Sequence, residues 1–377
     1  MNSAFRTPNS ALIKVLLIDD SPIALTILGR ILSTAPDIQV VGTAKDGKEG
    51  LALVQKLKPN VICVDLHMPV MDGYEFTKEV MSRFPKPILV VSVSVQEGST
   101  NIFKLLEAGA VDIFAKPRSG IESEYDKRAL ELISKVRMVA GVVPIRRRGG
   151  AQISEIGLPS ANLEKSKTQI SKSEIRIIAI GASTGGPQAL QTILSQLPAN
   201  FPLPIICVQH IGSEFATGFI EWLATQCRIK VKFAQTGEFP ASGTVYFPEA
   251  ESHLKVDAEG RFFSTSEPLY DGHRPSITVT MRSIADYYKN DVMAILLTGM
   301  GRDGAEGMLS VLRTGGITIA QDENSSIVFG MPKAAIEIGA AKYVLSPEEI
   351  VKILNQVGMT NGLMKSIKNK RGDNYGN

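Results

Sequence analysis

Three short segments carry a hydroxyl, an imidazole and a carboxylate. They are Gly181-Ala182-Ser183-Thr184-Gly185-Gly186, Gln209-His210, and Thr298-Gly299-Met300-Gly301-Arg302-Asp303-Gly304. Each directly follows an apolar run that reads as a buried strand (175–180, 205–209 and 292–297). Serine, histidine and aspartate together can perform acyl transfer: the hydroxyl attacks, the imidazole takes its proton, and the carboxylate steadies the imidazolium. The expected arrangement has His210 Nε2 facing Ser183 and Nδ1 facing Asp303. Pro187 suits the first turn of a helix starting just after Gly186, which would leave backbone N–H groups beside the hydroxyl. Such groups stabilise an oxyanion. A phosphate-binding loop would need a lysine where Pro187 stands, and a dinucleotide site would need an acidic residue where Gln209-His210 stands. His253 and His273 compete for the role of base. They lie near a hairpin and its following loop rather than at a parallel-strand end, and so rank below His210.

A second constellation lies in the N-terminal third. Asp19 and Asp20 follow one apolar run, Asp65 follows another, Ser92 a third and Lys116-Pro117 a fourth. Three converging carboxylates repel one another unless a cation intervenes, and a hard divalent ion such as Mg²⁺ prefers oxygen ligands. Asp65 could then attack phosphorus, with Lys116 countering charge on the transferred group and Ser92 hydrogen-bonding the acyl phosphate.

Strand and helix patterns alternate through both regions, as the positioning of these groups requires. Residues 13–18, 38–41, 61–64, 88–91 and 111–115 read as buried strands separated by helices. A second series, at 175–180, 203–209, 231–235, 292–297, 316–320 and 342–345, is interleaved with helices near 187–197, 215–227, 277–288, 304–312 and 347–357. Alternation of this kind predicts an α/β chain with two doubly wound parallel sheets, whose functional groups gather at the carboxyl ends of strands. The stretch 244–265, with its Asp257-Ala258-Glu259-Gly260 turn, predicts an antiparallel hairpin appended to the second sheet.

The chain of 377 residues suits two domains. It lacks an apolar run long enough to span a membrane, and its polar start shows no signal sequence, so a cytoplasmic location without membrane insertion is expected. Cys63, Cys207 and Cys227 show no metal-binding spacing and read as buried thiols. The net charge of +3 does not describe the folded parts. Residues 174–360 hold 14 basic against 19 acidic side chains, whereas the basic excess lies in 141–173 and 361–377. A nucleic-acid surface is therefore not expected. The polar, aperiodic stretch at 139–173, including Arg146-Arg147-Arg148, reads as a flexible linker.

Residues 12–138 resemble the receiver domains of bacterial response regulators. The resemblance rests on Leu17-Ile18-Asp19-Asp20-Ser21, Asp65 to Gly73, Ser92 and Gly109 to Pro117. It implies a flavodoxin-like fold and phosphorylation on Asp65 by a histidine kinase. It also implies Mg²⁺ held by Asp19, Asp20, Asp65 and the His67 carbonyl, with a cis bond before Pro117. Residues 174–360 resemble the catalytic domain of chemotaxis protein-glutamate methylesterases, through Ile178 to Gly186, Gln209-His210, His273 to Ser276, Leu297 to Ala305 and Phe329 to Pro332. That likeness implies a Rossmann-like fold, a Ser183, His210 and Asp303 triad, an oxyanion region at Thr184 and Met300, and methyl-accepting chemoreceptors as substrates. The esterase step needs no cofactor. Ile211, Gly212-Ser213-Glu214 and Thr278 depart from the family pattern, which bears on substrate preference more than on chemistry. A phosphorylation-activated esterase and glutamine deamidase is the resulting expectation, followed by a basic tail at 361–377. A non-catalytic signalling scaffold, or an esterase for another protein, is the alternative.

Overall fold

The computed structural model describes residues 12–93, 99–117, 122–142 and 175–372. The first unit opens β1 (Ile13–Ile18), α1 (Pro22–Ser33), β2 (Ile38–Ala44), α2 (Gly47–Leu57) and β3 (Val61–Val64), then continues through α3 (Gly73–Arg83), β4 (Ile88–Ser92), α4 (Ser99–Ala108), β5 (Asp112–Ala115) and α5 (Glu122–Ala140). All strand pairs are parallel, in the order β2-β1-β3-β4-β5. Helix starts follow local chemistry. Ser21, Asp46 and Asp72 each accept an N–H from the first turn of α1, α2 and α3, satisfying donors that a helix end leaves free. Strands β3 and β4 are buried along their whole length, because helices cover both faces of a parallel sheet.

The second unit contains β6 (Ile177–Ala182), α6 (Gly186–Leu194), β7 (Ile205–Gln209), α7 (Ser213–Gln226), β8 (Lys230–Phe233) and β9 (Thr244–Phe247). A hairpin of β10 (His253–Val256) and β11 (Phe262–Thr265) precedes α8 (Ile277–Tyr288), β12 (Val292–Leu296), α9 (Ala305–Arg313), β13 (Ile317–Gln321), α10 (Met331–Glu337), β14 (Tyr343–Leu345) and α11 (Pro347–Gly372). The main sheet runs β14-β13-β12-β6-β7-β9-β8, with every pair parallel. From β6 the chain first winds toward β7 and later returns on the other side at β12. The strand order therefore reverses beside β6, and a crevice opens there at the carboxyl ends.

Three expectations need correction, and one helix lies outside those expected. Thr244–Phe247 is not part of the hairpin but joins the main sheet between β7 and β8. Its four residues are all buried, as a strand covered on both faces must be. Helix α10, absent from the expected helices, is only seven residues long, with Gly330 at its N-cap and Pro332 in its first turn. Helix α11 runs beyond the predicted 357 to Gly372, so 361–372 is helical. The bond before Pro117 is trans, and the cis bond among the described residues is Arg274–Pro275. The small trans preference of X–Pro bonds lets tertiary context choose either isomer, and with the trans bond Lys116 already reaches two of the acidic residues. The linker from 143 onward and residues 373–377 lie outside the described residues. No described helix is long and apolar enough to cross a membrane.

Candidate active site

Strand register brings Ser183 and His210 to neighbouring ends. Ala182 of β6 pairs with Gln209 of β7, and the His210 N–H donates to the Ala182 carbonyl at 3.0 Å. The Gln209 carboxamide spans both ends, donating to the carbonyls of Ser183 (2.8 Å) and His210 (2.9 Å). From the other side, Ser183 N–H donates to the Thr298 carbonyl beyond β12 at 3.0 Å. Two close approaches demand glycine. A Cβ on Gly186 would lie 2.0 Å from Gln209 Oε1, and one on Gly299 would lie 2.6 Å from Ser183 Cβ and 2.5 Å from Met331 Sδ. Gly299→Ala is accordingly expected to push the Ser183 loop aside and lower kcat about a hundredfold, since a displacement near 1 Å has that cost. A kcat within twofold of the parent would contradict it.

Asp303 is 1% exposed and accepts five hydrogen bonds. His210 Nε2 donates at 2.9 Å and Ser276 Oγ at 2.8 Å; the N–H groups of Ile277 (2.8 Å), Thr278 (3.0 Å) and Gly304 (2.9 Å) complete the set. The carboxylate thus sits at the N-terminus of α8, where backbone dipoles favour negative charge, rather than capping the helix that follows it. Burial alone would raise its pKa. The hydrogen bonds from His210 and from the Thr278 and Ile277 backbone prevail and hold the carboxyl well below the usual range.

His210 is turned opposite to expectation: Nε2 meets Asp303, and Nδ1 is buried without a hydrogen-bond partner. Asp303 arrives from beyond β12, two strands from β7, so the ring reaches it with its far nitrogen. Ser183 Oγ has no hydrogen bond among the described residues. The structure therefore joins His210 to Asp303 and sets Ser183 at the adjacent strand end, with the Ser183–His210 contact open. An imidazole that donates through Nε2 to a buried carboxylate keeps an Nδ1 lone pair able to take a hydroxyl proton. The backbone N–H groups of Thr184 and Met300 donate to no protein group among the described hydrogen bonds. Thr184 is buried and Met300 is 48% exposed.

Sequence reasoning undervalued His273. Its ring stacks on His210 with centroids 3.8 Å apart and planes 6° from parallel. His210, His273 and Asp303 cluster closely enough to suggest a metal site. The rings are parallel, however, so their in-plane lone pairs do not converge on one ion. Burial, and then the neighbouring His210, push the His273 pKa from 6.5 down to about 4. Between those two values the unfolded chain takes up about one more proton at this position than the folded one, so stability falls as pH drops through that window. His273→Phe removes this component. The loss of urea midpoint between about pH 7.5 and about pH 4.5 should then be smaller than in the parent, and equal losses would refute it.

In the first unit, Asp19, Asp20 and Asp65 gather at the ends of β1 and β3. Lys116 Nζ lies 2.6 Å from Asp19 Oδ2 and 3.1 Å from Asp65 Oδ2. Burial raises the Asp19 pKa against the lowering effect of Lys116, and Asp65 Oδ1 is buried without a partner. One ammonium for three carboxylates, with an orphaned oxygen, is a donor set that fits a hard divalent cation. Ser92 is buried at the end of β4, whereas the His67 side chain is exposed.

The two units meet over the Ser183 side of the crevice. Phe103 of α4 stacks on Trp222 of α7 (5.3 Å, 22°) and lies 5.7 Å from Phe219. Trp222 Nε1 donates to Glu107 (2.9 Å), Gln188 to the Ala110 carbonyl (3.0 Å), and Arg128 pairs with Glu214 (2.9 Å). The Thr184 hydroxyl donates to Asp112 Oδ2 at 2.7 Å; the same oxygen also receives Lys135. No sequence signal identified Asp112, because its partner is 72 residues away.

A receiver sheet followed by an α/β unit with a Ser, His and Asp crevice defines a response regulator with a hydrolase-like effector. Comparison with known proteins agrees: a response regulator receiver domain profile matches residues 15–122, and a CheB methylesterase profile matches 178–354. The "protein-glutamate methylesterase/protein-glutamine glutaminase 2" of Methanospirillum hungatei is 40% identical, over 92% of this chain and 98% of its own length. The corresponding protein of Nitrosospira multiformis is 37% identical, over 94% of this chain and 99% of its own. The crystal structure of the Thermotoga maritima CheB methylesterase catalytic domain, 38% identical, covers 49% of this chain and 100% of that one, with a TM-score of 0.48. The chain belongs to the protein-glutamate methylesterase/protein-glutamine glutaminase family.

Proposed function

We propose that this protein is a phosphorylation-controlled serine hydrolase, cytoplasmic, that removes γ-methyl esters from glutamates of methyl-accepting chemoreceptors. The carrying observation is the buried His210–Asp303 pair at the strand end next to Ser183. Ser183 Oγ attacks the ester carbonyl as its proton passes to His210 Nδ1. The oxyanion is met by the Thr184 and Met300 N–H groups. The proton then goes to the departing methoxide, giving methanol and a glutamyl-Ser183 ester. Water repeats the sequence, its proton passing through Nδ1 back to Ser183 Oγ. An amide enters by the same route and releases ammonia, which accounts for deamidation of glutamine. Methanol release from methylated receptor membranes tests this reading, and no release from any chemoreceptor of the source cell would oppose it.

Asp65 is the proposed phosphoacceptor from a histidine kinase. Asp19, Asp20, Asp65 and the His67 carbonyl would hold Mg²⁺, which when bound offsets charge on the transferred phosphoryl group. Lys116 and Ser92 would then engage the phosphoryl oxygens. The contacts of Asp112 with Thr184 and of Ala110 with Gln188 support a receiver that obstructs the crevice until phosphorylation loosens it. Removing residues 1–170 should raise basal esterase activity, and Asp112→Ala should raise it about two- to fivefold, the equivalent of one lost hydrogen bond. Basal rates that stay level or fall in both would oppose obstruction.

A further inference from the structure

The loop before α8 presses a second imidazole against the first. Tyr270 and His273 exchange backbone hydrogen bonds in both directions, at 3.1 and 3.0 Å. Between them Asp271 and Gly272 have φ of 48° and 80°, the left-handed pair that a tight Asp-Gly turn favours. The turn is anchored on both flanks. Tyr270 Oη donates to Glu306 at 2.6 Å, and Glu306 also receives Arg282 from α8. Arg274 Nη1 donates to the carbonyls of Ser266 (3.0 Å) and Glu267 (3.2 Å). His273 Nδ1–H itself donates to the Asp271 carbonyl at 2.8 Å. Three constraints on one short loop leave the ring little freedom.

A face-to-face overlap this close is not the arrangement two neutral aromatic rings prefer. It becomes favourable when one ring carries positive charge and the other offers a neutral π face. Burial keeps His273 neutral near pH 7, so its face would favour the imidazolium that His210 becomes on taking the Ser183 proton. The His210 ring has one hydrogen bond among the described residues, at Nε2. That bond alone leaves the ring free to rock about the Nε2–Asp303 axis, which would change the direction in which Nδ1 faces. The flat face of His273 blocks that motion.

We propose that His273 is a positioning residue for the hydrolytic reaction, its imidazole face fixing the plane of His210 so that Nδ1 remains available to Ser183 while Nε2 stays on Asp303. The proposal rests on the hydrolase reading, and its test separates the two. His273→Ala, His273→Leu and His273→Phe are compared in the full-length protein, with p-nitrophenyl acetate and with methylated receptor as substrates, and Ser183→Ala as the background. His273→Ala and His273→Leu should lose roughly ten- to a hundredfold in kcat with KM within about threefold, because the base is misaimed rather than the substrate lost. His273→Phe keeps a flat face and should stay within about threefold of the parent. Undiminished activity in His273→Ala overturns the proposal. So does equal activity in His273→Leu and His273→Phe, or a His273→Phe protein as impaired as His273→Ala. The second measurement needs no turnover. The chain has 4 histidines, so His210 ring protons can be assigned by NMR. They should be shifted upfield in the parent and His273→Phe and relax downfield in His273→Leu; identical shifts in all three overturn the stack even if Ser183→Ala proves the hydrolase reading wrong.

Discussion

Ser183→Ala should lose roughly 10⁴- to 10⁶-fold in kcat on methylated receptor while binding it with unchanged affinity. The hydroxyl is the only group of the proposed mechanism that forms a covalent bond to substrate, so nothing nearby replaces it. Removing one oxygen leaves the backbone bonds of Ser183 to Thr298 and Gln209 in place. The fold should therefore be undisturbed, and the thermal midpoint should match the parent within about 2 °C. Methanol release measured over hours would detect the residual rate. A loss smaller than about a hundredfold would remove Ser183 from the role of nucleophile.

Asp303→Asn should cost roughly 10⁴-fold in kcat, for a different reason. All five donors around this carboxylate need an acceptor, and an amide offers one oxygen and one donating nitrogen. If the nitrogen faces His210, Nε2 must become the acceptor and the ring proton moves to Nδ1, which can then no longer take the Ser183 proton. If instead the nitrogen faces α8, it abuts N–H groups that cannot accept. Asp303→Ala adds a structural penalty of about 3–5 kcal/mol, because it strips the acceptor from buried donors, although Gly304 N–H keeps Thr278 Oγ1. Both effects are read by kcat together with urea midpoints. Wild-type activity in Asp303→Asn would show that His210 needs no carboxylate partner.

The layout of the chain was legible in advance because parallel strands covered on both faces are continuous apolar runs, and the chemistry collects where such runs end. Asp19, Asp65, Ser92, Lys116, Ser183 and His210 each stand at or next to such an end, and Asp303 lies in the loop that follows one. The strand Thr244–Phe247 reads as part of a hairpin because a four-residue run with three apolar side chains beside a turn suits a hairpin as well as a central sheet, and only the sheet's pairing distinguishes them.

Sequence by itself determined the types of the reacting groups and the strand ends that carry them, because both follow from local spacing and from which segments must be buried. Tertiary structure alone decided how those groups face one another. The inversion of the His210 ring depends on Asp303 arriving from two strands away, the His273 stack on a turn pinned by α8 and α9, and the Thr184–Asp112 contact on the docking of one unit against the other. Orientation is set by contacts between residues distant in the chain, and no local pattern encodes the angle at which two such residues meet.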